Sequence, residues 1–460
     1  MAKTKKQLTR KEFLASAAVA AGAAALAACA PTPAPTQAPA APTAAPTAAP
    51  AKPKEKPKIV VWPSQTYTQE ADAKFEELIR GWCEKNGVDV EINRLTGDEK
   101  QPKWQAAFEA KKFPDIGHAM ENDVPKFIQA KVCLETTEVI KRLDKLAGGY
   151  TQGAKLAGMT PDGKWWTVPA WSSTEIFYVR KDKLAEKNLP LPDTWEDVAK
   201  VAKEITVPGK FWGFGAQIGT PSWDSEVQFS ATLWAYGGKT WDENGKVAID
   251  SPETRKVLDY WRDLWKSGAI PPDAVTWDDS GNNKAYQTGI VGMVYNTGSI
   301  LRYLQTNDKD LFEKTAFIPI PKGPAGRFCS GYYYQWIPFK TTKYPDICLA
   351  LLEYLMAPDQ LRQVYELAGG NMMPVYKDMV KDPMWQDPAR KVLADMLQYT
   401  VPQGYPGSTT PWCLDAWMDH TMVKMLNRVL VDGWDNDRAI AETKAVLQKW
   451  YDDWQKKLSA

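Results

Sequence analysis

From Lys58 onward, two hydrophobic periods alternate along the chain. Ile59-Val60-Val61-Trp62 is a continuous apolar run of strand length, and behind it Phe75, Leu78, Ile79 and Trp82 recur at helical spacing. Thr66 and Gln69 offer a capping box before that helix, and the run from Val88 to Ile92 predicts the next strand, giving a β-α-β unit. Asp193 and Glu196 frame a further helix start, with Val198, Val201, Ala202 and Ile205 as its apolar stripe. Val247-Ala248-Ile249 predicts a strand. Ser251 then reads as an N-cap with Pro252 in the first turn, and Val257, Leu258, Trp261, Leu264 and Trp265 form a stripe that Gly268 closes. The last third is helix-rich, with stripes through Leu349, Leu352 and Leu355, through Leu361, Val364 and Tyr365, and through Ile440, Thr443, Leu447, Trp450 and Trp454. Short β-runs alternating with amphipathic helices predict an α/β fold.

The N-terminus follows other rules. Lys3, Lys5, Lys6, Arg10 and Lys11 precede an Ala-rich apolar run from Phe13 to Ala28 that is too short to span a membrane, so residues 1–28 read as an export signal. Leu26-Ala27-Ala28-Cys29 resembles a bacterial lipobox, which marks Cys29 for lipidation. Residues Thr9 to Leu14 also resemble a twin-arginine motif, with Lys11 in place of the second arginine. Residues 29–56 are the lipidated cysteine and a Pro/Thr/Ala tether, extended and rich in polyproline II, that lacks the apolar periodicity to repay folding entropy.

Composition narrows the function. A chain of 460 residues predicts two or three domains beyond the leader. Removing the basic leader turns the formal charge of +1 slightly negative, which leaves no electrostatic basis for nucleic-acid binding. With only two histidines, His118 and His420, a His-rich metal site has little to be built from. Beyond Cys29 stand Cys83, Cys133, Cys329, Cys348 and Cys413, none in a C-x-x-C pair, which read mainly as small buried hydrophobes. The 21 tryptophans outnumber the 18 tyrosines and the 13 phenylalanines, an abundance of flat amphipathic side chains.

The order of local motifs resembles family 1 of the extracellular solute-binding proteins of ABC importers, the group that includes maltose- and oligosaccharide-binding proteins. Phe113-Pro114-Asp115-Ile116 comes first, then the run from Asp162 to Pro169 (DGKWWTVP), then Phe177 to Asp182 (FYVRKD) ahead of Leu189 to Asp197 (LPLPDTWED). Tyr236-Gly237-Gly238 leads to Asp250-Ser251-Pro252-Glu253, Gly289 to Val294 leads to Gly298-Ser299, and Ile318 to Gly323 (IPIPKG) closes the series. Two positions depart from the pattern: Val179-Arg180 replaces Tyr-Asn, and Ser299-Ile300 stands where many members carry an aromatic. The resemblance implies a periplasmic-binding-protein type II fold, with two discontinuous α/β lobes joined by a multi-strand hinge. Lobe one would comprise 58–167 plus 296–332 and lobe two 168–295 plus 333–460, with crossings near Val168 to Trp171, Met293 to Asn296, and Tyr333 to Pro338. It further implies a monomeric, non-enzymatic substrate-binding component, held on the outer face of the cell membrane through Cys29. Such a component captures a sugar or oligosaccharide and delivers it to the permease subunits.

In such a fold the site lies in loops at the carboxyl ends of cleft-facing strands. Those loops carry Ser64, Gln65 and Tyr67, then His118, Glu121 and Asn122, then Trp171, Ser172 and Ser173. Lobe two adds Trp223, Asp224 and Gln228; Asn296, Ser299, the run Tyr332-Tyr333-Tyr334, Trp336, Asn371, Trp412 and Trp417 complete the candidates. Carboxylates and amides chelate neighbouring hydroxyls while an indole covers the C–H face of a pyranose, so a neutral sugar fits this mixture. Trp62, Trp261, Trp265, Trp450 and Trp454 lie on strand or helix stripes and read as packing. Two other readings compete. An exported glycoside hydrolase would need opposed carboxylates, for which Asp224, Glu226, Asp278 and Asp279 are available. The second keeps the fold and changes the cargo to a polyamine, phosphodiester or metal chelate, but such cargo calls for more charge than these loops offer.

Overall fold

The alternation of buried and half-exposed side chains expected of a strand runs through Lys58–Trp62, where Ile59 and Val61 are fully buried. A computed structural model describes residues 56–459, apart from Tyr67, Glu121, Asn122, Pro161, Asp162 and Pro221. The export signal, Cys29 and the tether up to residue 55 lie outside the described residues. In chain order the strands are β1 (Lys58–Trp62), β2 (Asp89–Ile92), β3 (Ile116–Met120), β4 (Val168–Ser172), β5 (Glu175–Arg180), β6 (Met293–Thr297), β7 (Thr315–Ile318), β8 (Cys329–Ser330), β9 (Tyr333–Pro338) and β10 (Thr400–Val401).

Two principal sheets result. The first runs β2-β1-β3-β9-β4, with β2 and β3 parallel to β1 and with β9 antiparallel to both β3 and β4. The second runs β6-β5-β7 and is antiparallel throughout, and β8 and β10 form a small separate pair. Parallel neighbours require a crossover, which the helix Gln69–Lys85 supplies between β1 and β2, burying Phe75, Leu78 and Ile79 as the stripe predicts. The chain passes from the first sheet to the second through Ser173 and Thr174 alone.

Several expectations shift. The helix after β1 is capped by Thr68 without a side-chain bond, so Gln69 occupies the first helical position rather than the third, and no capping box can form. Thr66 instead donates its amide to Asp72 Oδ1 at 2.8 Å. The later capping box pairs Thr194 with Asp197, each one residue beyond the expected Asp193 and Glu196. The run Val247 to Ile249 contributes only an isolated bridge from Val247 to Trp241. Ser251 does cap its helix, accepting from the Thr254 amide, with Pro252 in the first turn and Gly268 at φ +72 just past the end.

Strand pairing also divides the later segments differently from the expected lobes. Thr315–Ile318 joins β5 in the second sheet, whereas Tyr333–Pro338 lies inside the first. The cause is hydrogen-bond satisfaction: β3 and β4 each leave an open edge that β9 fills. The helices Pro345–Leu355 and Pro358–Ala368 then pack on Gln69–Lys85, beside the first sheet. Cys83, Cys133, Cys329, Cys348 and Cys413 are all buried, as expected of small apolar groups.

Two glycines separate space from strain. A Cβ on Gly213 would overlap the backbone of Ala202, whereas one on Gly81, inside Gln69–Lys85, would meet open space. Gly213→Ala is expected to lower stability by about 2 kcal/mol, and Gly81→Ala to raise it by roughly 0.5–1 kcal/mol. Denaturant midpoints measured side by side check both.

Candidate functional site

Between the two sheets lies a cavity of about 720 Å³, lined from both sides. On the first-sheet side, period-two alternation along β9 decides which aromatics reach it. Tyr334 lies opposite Trp171 of β4 in the strand register, and the two rings stack at 3.7 Å between centroids, 13° from parallel. Both line the cavity. Lys100, from the helix Gly97–Ala110, places its Nζ 5.4 Å from the Tyr334 ring and 3.7 Å from Asp123 Oδ2. Ser64 and Gln65 come from the turn after β1, and Asn371 joins them by donating to the Thr66 carbonyl at 3.2 Å.

On the second-sheet side, the helix Trp223–Ala235 opens at the cavity. Its first amides are satisfied from a distance: Asp279 Oδ1 accepts from Ser222 Oγ and the Trp223 amide, both at 2.7 Å, and from the Asp224 amide at 3.3 Å. A carboxylate there also complements the positive end of the helix dipole. Trp223 lies nearly parallel to Trp417 at 6.1 Å and has His420 against it at 4.3 Å, while Tyr332 meets Trp417 edge-on at 5.9 Å.

Of the candidate residues, Ser64, Gln65, Trp171, Ser173, Trp223, Asp224, Ser299, Tyr332, Tyr334, Asn371 and Trp417 line this cavity. The others sit elsewhere for identifiable reasons. His118 and Trp336 are buried beneath the Trp171–Tyr334 pair, with their rings 4.6 Å apart. Tyr333 projects from the opposite face of β9, its hydroxyl pressed to Gly153, and Ser172 is buried, its backbone bridged to Met373. Gln228 donates to the Gln217 carbonyl at 3.0 Å, and the Trp412 indole donates to the Gly245 carbonyl at 2.7 Å. Asn296 is one layer back: it donates to Asn282 and Asn283 and accepts from the Thr297 amide and Ser299 Oγ, which shapes the turn that brings Thr297 and Ser299 to the cavity. Tyr67, Glu121 and Asn122 lie outside the described residues.

Sequence reasoning named Asp279 only as a carboxylate for the competing hydrolase reading, and it missed Lys100, Asp123 and the face Arg302, Tyr303, Thr306 and Asn307. Helical periodicity would have found that face, because these residues follow Ser299 at i+3, i+4, i+7 and i+8 along Gly298–Asn307. Two ion pairs tie the opposing elements together. Lys126 Nζ stands 3.1 Å from Asp415 Oδ1 on the helix that carries Trp417, and Arg302 Nη2 stands 3.4 Å from Glu70 Oε2.

Burial governs the site's protonation. Desolvation and then the charge of Asp279 push Asp224 up to about 8, and burial raises the neighbouring Glu175 well above the usual carboxylate range. Desolvation lowers Lys100 against the attraction of Asp123, and it drives His118 down to about 3, so that imidazole is neutral. Between the ordinary value of 3.8 and about 8, native Asp224 keeps a proton that the unfolded chain has released, so its contribution to stability falls as pH rises through that window. Asp224→Asn is expected to change the Tm of the ligand-free protein little at pH 4 and to raise it measurably at pH 8.5. Calorimetry at the two pH values checks this; equal shifts would contradict the assignment.

A cavity between two sheets, walled by aromatic rings and polar groups, is the architecture of a solute receptor. The family model for bacterial extracellular solute-binding proteins matches residues 70–392, and the chain belongs to that family, whose members are exported. Over 205 residues it is 27% identical to YcjN of Escherichia coli K12, a protein named for an ABC transporter periplasmic-binding role. That match takes in 43% of this chain and 46% of the relative, so the chain spans about half the length of that curated protein. Among solved structures, the maltose-bound MalE3 of T. maritima superposes with a TM-score of 0.70 at 20% identity, over 85% of this chain and 99% of that one. The sugar-binding MalE of Xanthomonas citri gives 0.72 at 18% identity, over 86% and 99%. These likenesses establish a MalE-type fold.

Proposed function

We propose that this protein is the substrate-binding component of a bacterial ABC importer, which captures a sugar or oligosaccharide in the cleft and hands it to the permease. The observation that carries this reading is the pairing of aromatic surfaces on opposite walls, Trp171 with Tyr334 and Trp223 with Trp417, interleaved with hydroxyl, amide and carboxylate groups. Rings cover the apolar faces of a pyranose while the polar groups take its hydroxyls. The sugar ligands of MalE3 and of the Xanthomonas protein favour the same class.

Each principal sheet with its covering helices forms one lobe in this reading, and Ser173 and Thr174 belong to the hinge. Ligand contacts on both walls favour the closed arrangement, and closure is what the permease recognises. The protein works as a monomer on the outer face of the membrane, held by a lipid on Cys29 at the end of its tether. It breaks no bond. Glu226 accepts the Val423 amide away from the cavity, Asp279 is engaged as a cap on the same wall as Asp224, and Asp123 is engaged by Lys100, which disfavours an opposed acid–base pair.

A thermal-shift screen against a carbohydrate panel tests the ligand class, since a solute bound only by the native state raises Tm. Saturable 1:1 binding with no product and a contracted scattering profile is expected; turnover, or a shift only with amino acids, polyamines or phosphates, counts against it. Trp223 is half-buried, so Trp223→Ala is expected to weaken sugar affinity by about tenfold with little change in apo stability. Trp171→Ala is expected to lower both, because Trp171 is buried against Tyr334. Replacement of Cys29 by Ser is expected to shift the protein from the membrane to the soluble fraction; continued sedimentation with membranes would remove the lipid anchor from this account.

A further inference from the structure

The cleft's charges are unequally compensated. Lys100 is engaged by Asp123, and Arg302 is held by Glu70 and by the Leu367 carbonyl at 3.1 Å. Neither Asp224 nor Asp279 forms an ion pair with a described basic residue. Asp279 spends Oδ1 on three donors at the start of Trp223–Ala235, whereas Asp224 receives only a 3.5 Å contact from Asn282 Nδ2. The other titratable groups facing this corner do not relieve it. Glu175 and Tyr332 add negative or neutral character, His420 is lowered by burial despite Asp279 and Asp419, and the nearby Lys424 is paired with Asp419 at 2.7 Å.

We infer that the transported sugar carries a protonated amino group, seated at the corner formed by Trp223, Asp224 and Asp279. The inference rests on the sugar reading above and narrows it, replacing the neutral solute expected from sequence with a cationic one. An ammonium supplies what the corner lacks: a cation that makes charge-assisted hydrogen bonds to Asp279 and to Asp224, whose carboxyl gives up its proton to solvent as the cation seats. The Trp223 and Trp417 faces and Tyr332 add quadrupole attraction for a cation that a neutral hydroxyl would forgo. The rest of the ligand must offer oxygen. On the far wall the Trp171 indole N–H has no partner although the residue is only 3% exposed, and a bare polyamine brings no acceptor to the Ser, Thr and indole donors of the cleft. An amine on a hydroxyl-rich ring meets both demands.

Titration calorimetry of the full chain at pH 7 tests this with matched pairs: glucose against glucosamine, galactose against galactosamine, and cellotriose against the glucosamine trimer. In at least one pair the amine is expected to bind about tenfold more tightly or better. Asp224→Asn is expected to reduce that preference to a small factor while the variant still melts cooperatively. In the unaltered protein, raising the pH past the amine's own pKa should erase the preference as well. If neutral members bind as tightly as their amines, the inference falls and the sugar reading stands. A preference unchanged in the variant overturns the assignment to this corner. If no member of any pair binds, the inference and the sugar reading both fall.

Discussion

An antiparallel strand threaded between β3 and β4 is the constraint from which the site follows. A chain returning from the second sheet must satisfy two open edges at once, and β9 does so along its whole buried length. That register sets Tyr334 beside Trp171 and leaves Tyr332, just ahead of the strand, to reach Trp417 on the other wall. Three consecutive residues thereby bind one wall, anchor the sheet beneath the Gln152–Gly158 helix, and touch the opposite wall. The cavity's geometry is a by-product of backbone pairing, which is why it needs no dedicated scaffold of its own.

Charge is managed differently on the two walls. On the first, Lys100 and Asp123 offset one another beside an aromatic face. On the second, a carboxylate serves as a remote helix cap and a second one stands next to it with no cation. Tying Asp279 to the amides of Trp223 and Asp224 also fixes the indole's angle, so electrostatics and stacking are set by the same three bonds.

Much of the fold was legible because its signals are local. Ile59 and Val61, the stripe of Phe75, Leu78 and Ile79, and the Ser251-Pro252 cap fold as their spacing requires. Helix phase was less secure: Thr66 and Gln69 look like a cap in sequence, but the helix begins two residues later. The site was half legible. Trp171, Trp223 and Trp417 do line the cavity, although they lie on a strand and two helices rather than in the expected loops, and Tyr333 and Tyr334 differ only in strand phase, which the string Tyr-Tyr-Tyr conceals. Lys100 and Asp279 reach the cavity through tertiary packing, for which neighbouring sequence carries no sign. The pairing of β9 was hidden for the same reason, since its partners β3 and β4 lie far upstream in the chain.

Asp415 carries one last implication. Its Oδ1 meets Lys126 across the cleft at 3.1 Å, and its Oδ2 accepts the Trp454 indole N–H at 2.6 Å. A single carboxylate therefore links the helix Val124–Gln129 to the terminal helix Asn436–Ser459, so the last helix of the chain helps to orient an ion pair made with the segment that follows β3.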